Sequence, residues 1–392
     1  MKLFQKLLLG PAAIGLLSPI AVSASEANFK DTNDYSQNDI EVSIDTFKPL
    51  SSKNPLLAGG EGLNQNNGSS DFDVDSFSST TSASFESNFV AAAIDNGDYT
   101  RSFSGYDYKI ALTTSFSGDD SLDVEFEAGN TSNFPELDLG SDGDGIKVDS
   151  ISYTKSLGDK LTVFFGDGAA GSSLYNTACV YNGVTNALDD CGNLNSAIDA
   201  GFGTAFGLSA DLSSGFAAAI GVETQNTGTG AFTDESADAF GAQLSYTGDN
   251  FGVSLTWANI EDTTDLVLDS DHGATQSAAI NAYFDPDFNN FPSISVGFES
   301  NHDDSAALTD ANDESTHYFV GLQWDELGNG SFGAALGSKT PTAENGEAQV
   351  QYEAFYSYNY ADGITVTPLF YSRENTGSRD DSGIIIKTTF EF

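Results

Sequence analysis

From about residue 72 the chain alternates apolar and polar positions with a period of two. Tyr106, Tyr108, Ile110 and Leu112 alternate with Asp107, Lys109, Ala111 and Thr113. Phe251, Val253, Leu255 and Trp257 alternate with Gly252, Ser254, Thr256 and Ala258. Successive residues of a strand point to opposite faces, so this period is a strand signature. No segment holds the 3.6-residue helical period for three turns. The pattern predicts sixteen strands, at 78–93, 105–116, 121–128, 148–156, 160–167, 202–210, 215–223, 238–247, 250–259, 276–284, 292–300, 315–324, 331–338, 349–360, 363–372 and 383–392. Many have the roughly 9–11 residues a tilted strand needs to cross a bilayer.

The links strengthen this reading. After each even-numbered strand the link is short and rich in Gly, Asp and Asn, as tight hairpins require. After each odd-numbered strand it is longer, and the fifth-to-sixth link, 168–201, is longest. A soluble sandwich has no reason to alternate loop length, and a solenoid would show a fixed repeat. Lipid cannot hydrogen-bond a free sheet edge, so a membrane sheet closes on itself. The fold class expected is therefore all-β: a transmembrane antiparallel β-barrel of about sixteen strands, with short periplasmic turns and long outer loops. Its apolar face points to lipid and its Asp, Glu, Ser, Thr, Gln and Gly face points inward. Sixteen strands enclose an aqueous channel rather than a packed core. Tyr352, Tyr356, Tyr358, Tyr360, Trp257 and Trp324 are candidates for interfacial aromatic girdles.

Residues 1–24 carry Lys2 and Lys6, then an apolar stretch, then Val22-Ser23-Ala24, the form of a cleaved secretory signal peptide. Residues 25–70 are polar, with SSKNP, GGEG and NQNNGSS, and are expected to be a flexible periplasmic segment. Residues 71–392 are the expected barrel domain. Export past the inner membrane with a barrel places the protein in the outer membrane, with lipid as its first partner.

Charge narrows the function. Beyond residue 24 the chain has 12 basic against 58 acidic residues, a net −46. That excludes a nucleic-acid partner, since phosphate backbones need a basic footprint.

The opening MKLFQKLLLGPAAIGLLSPIAVSA and the stretch Phe164-Phe165-Gly166-Asp167-Gly168 resemble porins of marine cyanobacteria, related to the carbohydrate-selective OprB-type porin family. The final Thr389-Phe390-Glu391-Phe392 resembles the terminal signal that bacterial outer-membrane proteins present to the barrel-assembly machinery through a last aromatic, here Phe392. The resemblance implies a homotrimer, a third outer loop folded inward as the constriction, and sugars or inorganic ions as permeants. Members of that family usually carry an S-layer-homology domain and a coiled coil before the barrel, and the segment 25–70 is too short for both.

On this footing, loop 168–201 is the expected constriction, with Asp189, Asp190 and Asp199 as its charges. Ala217, Ala219, Gly221, Ala239, Gly241, Gly252 and Ser254 form a small-residue wall on which it would pack. Cys179 and Cys191 meet an oxidising compartment, where a disulfide would hold their sub-loop by about 3 kcal/mol; the alternative is two free thiols. Pore-lining candidates are Asp107, Lys109, Asp123, Glu125, Glu127, Glu353, Lys387 and Glu391, with Lys155 and Arg373 as the other scarce bases. The acid excess favours cations, because carboxylates lower the cost of a cation in a pore. No cofactor and no metal site are expected: Asp142-Gly143-Asp144-Gly145 lacks the closing acids of a calcium loop. No zinc or hydrolase motif points to an enzyme. Passive diffusion of small hydrophilic solutes is the leading function, with a plugged structural or adhesive barrel as the alternative.

Overall fold

The computed structural model describes residues 80–392 except 96–99, 133, 135–136, 138, 141–142, 199–202, 225–231, 233–235, 262–273, 287–290, 305–312, 339–341, 344–347 and 376–379. The candidate signal peptide, the segment 25–70 and Asp199 lie outside the described residues. Sixteen long strands and one two-residue strand are formed. They are β1 (Thr81–Asp95), β2 (Thr100–Thr114), β3 (Asp120–Gly129), β4 (Gly143–Leu157), β5 (Leu161–Asp167) and β6 (Thr204–Ser213). Next come β7 (Phe216–Thr224), β8 (Asp238–Thr247), β9 (Phe251–Glu261), β10 (Ala274–Phe284), β11 (Ser293–Asp303) and β12 (Glu314–Trp324). The last are β13 (Gly330–Ser338), the short β14 (Thr342–Ala343), β15 (Val350–Ala361), β16 (Ile364–Arg373) and β17 (Asp381–Glu391).

Each long strand pairs antiparallel with its neighbours in sequence, and β13 pairs directly with β15. The sheet closes because β1 pairs with both β2 and β17. Phe85 and Phe392 exchange backbone hydrogen bonds of 2.9 and 3.0 Å across the seam. No long edge remains, so the ladder satisfies its own backbone in a medium that offers no hydrogen bonds.

Direct cross-strand partners share a face, so the register sorts the side chains. Phe165, Phe206, Ile220, Phe240, Leu244, Leu255, Ile280 and Phe298 are exposed on the outer face. Neighbours there pair by ring, as in Phe240 and Trp257, 5.2 Å apart and edge to face. An apolar band facing outward is what a bilayer stabilises and water would not. Tyr352, Tyr358, Tyr360 and Trp257 lie exposed on the same face.

The short links turn on glycines where the geometry demands them. Gly215 and Gly363 have φ of 84° and 69°, and a Cβ at either would land on a backbone carbonyl of the adjacent strand.

Two features depart from the sequence pattern. The first odd-numbered link, expected at 94–104, spans only 96–99, because β1 and β2 stay paired to Asp95↔Thr100. Above the lipid band polar residues pair as well as apolar ones, so alternation fades before the ladder does. The second departure is inside. The half of the lumen nearer the long links is not polar throughout. Val90, Ala92, Phe355, Leu369, Tyr371 and Ile385 point inward and are buried in one apolar cluster with Phe134, Leu137, Tyr181 and Leu188 from two infolded links.

Candidate functional site

The link between β5 and β6 is pinned at its base by Gly168 N–H donating to Gly203 O at 3.0 Å. From there it runs along the inner wall. Its backbone is held by wall side chains, strand after strand. Gly171 N–H donates to Glu223 Oε2 on β7 at 2.7 Å, and Asn176 N–H to Gln243 Oε1 on β8 at 2.6 Å. Ala178 N–H donates to Ser254 Oγ on β9, and Val180 N–H to Ser295 Oγ on β11. At the tip, Glu353 on β15 accepts from Tyr181 Oη (2.6 Å), Val184 N–H (3.3 Å) and Thr185 N–H (2.9 Å). On the return, Glu299 on β11 accepts from the N–H groups of Asn195 and Ser196 and from Ser196 Oγ. Glu223, Glu299 and Glu353 are all at most 3 % exposed. A buried carboxylate is costly unless charge-assisted hydrogen bonds satisfy it, and here loop backbone supplies them.

Small wall residues let the loop approach. A Cβ on Gly221 would land on Gly171 O, and one on Gly297 would land on Cys191 O. At Gly241 it would lie 2.5 Å from Tyr175 Oη, and at Gly321 2.7 Å from the Tyr181 ring. Ala239 packs against Ile198. The contact surface therefore runs from β7 to β15, beyond the wall of β7–β9 that the sequence suggested, and Gly252 faces Tyr283 instead of the loop.

Cys179 and Cys191 are joined as a disulfide across the loop's far hairpin. Its sequence separation is 12, so the bond removes about 3 kcal/mol of loop-closure freedom. The C179S/C191S variant should retain the barrel but show faster proteolysis within 168–203 and noisier current; a quiet, resistant variant would contradict this role.

The predicted site residues divide. Asp189 and Asp190 lie half-buried on the loop. Lys109 and Glu127 meet on the inner wall at 3.5 Å, and Asp123 and Glu125 share their face. Asp107 and Glu353 do not line open water as expected. Asp107 is fully buried, accepting Asn88 Nδ2 (3.0 Å) and Gly140 N–H (2.6 Å) beneath the infolded β3–β4 link. Glu353 is covered by the loop tip it holds. Lys155 is spent at the short-turn end on Asp119 at 2.6 Å, and Arg373 on Asp381. The same lysine contact holds the Asp119 carboxyl below its ordinary range.

Lys387 and Glu391 do come together with the loop. A cavity of about 360 Å³ lies between Asn182–Val184 and the inner faces of β1, β13 and β15–β17, where Glu86, Lys387 and Glu391 are the charges. Cross-strand register extends this row as Glu391, Glu86, Lys109, Glu127 and Lys147. Glu86, Glu223 and Glu299 were not singled out from sequence. Their signal was their inward parity: Glu223 is the lone acid of β7, and Glu299 sits in mid-β11 among small or neutral polar residues, with Asp303 only at the strand's end.

Solved structures share this architecture. OprB of Pseudomonas putida, at high pH, superposes with a TM-score of 0.59 at 11% identity, covering 80% of this chain and 94% of that one. The barrel is porin-like. An anion-selective porin from Comamonas acidovorans gives 0.57 at 14% identity, over 80% of this chain and all of that one. Vibrio cholerae OmpT lacking its loop L8 gives 0.54 at 10%, with the same coverage. No family model matches the sequence, and no curated protein is similar to it. The porin-like barrel thus rests on shape, reached at identities too low to carry residue roles across.

Proposed function

We propose that the chain is an outer-membrane porin that lets small hydrophilic solutes diffuse passively, with a preference for cations. The observation that carries this reading is the chamber between the loop tip and the wall. It is polar, and its charged groups are two acids, Glu86 and Glu391, against one base, Lys387. Ions passing there feel a local excess of negative charge behind low-dielectric walls. In this reading residues 1–24 direct export and are removed, 25–70 lie in the periplasm, and 71–392 form the barrel. Three copies associate, and the barrel-assembly machinery inserts the chain. Neither a cofactor nor turnover takes part. Sugars of the kind OprB-type porins pass remain candidate permeants beside inorganic ions.

The test is single-channel current of the refolded protein in a planar bilayer under a KCl gradient. Large steps with a cation-selective reversal potential are expected. The Lys387→Glu variant should raise the cation-to-anion permeability ratio several-fold, roughly the effect of two charge units at a partly screened site, and Glu86→Gln should lower it. Unchanged reversal potentials in both would move the selectivity elsewhere. The second reading, a plugged structural barrel, draws on the apolar cluster that fills part of the long-link half. A folded barrel that passes no current would select it.

A further inference from the structure

His317 sits on the inner face of β12 and is fully buried. One ring nitrogen, Nε2, bonds to the Ser338 carbonyl of β13. The other, Nδ1, is buried with no hydrogen-bond partner among the described residues. A neutral ring with Nε2–H donating accounts for this arrangement, and it leaves a lone pair on Nδ1. Directly across the strand pair stands Glu299, the register partner of His317. Such partners carry their Cβ atoms about 4.5–5.5 Å apart. Glu299 is itself fully buried, and its carboxylate is the anchor of the returning loop arm through Asn195 and Ser196.

We propose that His317 and Glu299 form a proton-operated latch on the returning arm of the loop. When His317 is neutral, Glu299 has no cation beside it and spends its lone pairs on Asn195 and Ser196. A proton from the medium adds to Nδ1 and makes the ring cationic and a double donor. The nearest anion is the carboxylate across the strand pair. Glu299 turns to the imidazolium, the N–H groups of Asn195 and Ser196 lose their acceptor, and the arm leaves the wall. Among the described residues, Glu299 is the ionisable group that acts on the ring. The other groups beside it are the Ser338 carbonyl on β13 and the Gly192 backbone on the loop, neither with an ionisable side chain. Asp189 and Asp190 precede Gly192 on the loop. Histidine suits this work, since it is the side chain that gains a positive charge as the medium turns acid.

Hydrogen–deuterium exchange of the detergent-folded full chain reads the latch without relying on conduction. On lowering the pH from about 7.5 to about 4.5, past the ordinary histidine range because burial disfavours the charged ring, the Asn195 and Ser196 amides should lose protection by about tenfold or more after correction for intrinsic rates. In His317→Gln they should stay protected at both values. In Glu299→Gln, which keeps an acceptor oxygen but has no charge to draw it to an imidazolium, protection should no longer depend on pH. Equal loss in the wild type and His317→Gln, or none in the wild type, would overturn the latch. A matching pH step in bilayer conductance, absent in His317→Gln, rests on the porin reading. Its absence alongside intact exchange behaviour would count against that reading and not against the latch.

Discussion

Gly297→Val should drive the constricting loop off its wall and raise single-channel conductance by a factor of about two or more, as the bore approaches that of the bare sixteen-stranded lumen. The reason is backbone against backbone. Position 297 faces inward on β11, and its missing side chain is where the Cys191 carbonyl sits. Forcing a side chain into such a contact costs about 1–3 kcal/mol when neighbours must yield. β11 is laddered on both sides to β10 and β12 and cannot retreat. The loop, held by side-chain anchors, is the partner that moves. Heat-modifiable gel mobility checks that the barrel has formed, and bilayer recording reads the change. A folded variant with wild-type conductance would show that the loop does not limit flow.

Glu353→Ala should have the second large effect. Three donors at the loop tip, Tyr181 Oη, Val184 N–H and Thr185 N–H, end on this one side chain. Each would cost about 1–3 kcal/mol if left buried without an acceptor. The cheaper outcome is for the tip to leave the wall and hydrate. Conductance rises, and selectivity falls because the tip no longer crowds permeants against Glu86, Lys387 and Glu391. Glu353→Gln retains an acceptor oxygen and should lie between wild type and alanine. Selectivity ratios and solute-size exclusion in liposome swelling measure both. If alanine and glutamine leave both quantities at wild-type values, Glu353 is not the tip's anchor.

The strands were legible because the membrane makes them so. A lipid face tolerates little except apolar residues and a wet interior little except polar ones, so parity is written plainly along β8 or β9. Parity says which way a side chain points, and not what it meets. Glu353, Asp107, Glu125 and Lys387 all read as lumen residues, and all do point inward. Two of them are roofed by infolded links and bond to backbone, a fact set by chain segments far away in sequence. For the same reason the apolar inward stretch Val90, Ala92, Leu369, Tyr371 and Ile385 was invisible as a feature, since each residue breaks the pattern of its own strand only slightly. The polar pairing above the lipid band, as at Asp95↔Thr100, carries no alternation to read. The loop's insertion was legible from its length and the family resemblance. Its anchors were not, because inward parity marks Glu223 and Glu299 as lumen acids and says nothing of the loop backbone that they accept from.

The order in which these parts can be fitted follows from where the anchors lie. Thr185 is clasped by a carboxylate 168 residues further along the chain, and Asn88 meets Thr389 across the seam at a separation of 301. The clasp for the loop tip thus sits near the end of the polypeptide, just before the strands that complete the ring. A newly inserting molecule must hold a nearly complete ring before its own throat can be narrowed. During biogenesis the wide bore comes first and the restricted one last, so any leak through this protein would belong to its youngest copies.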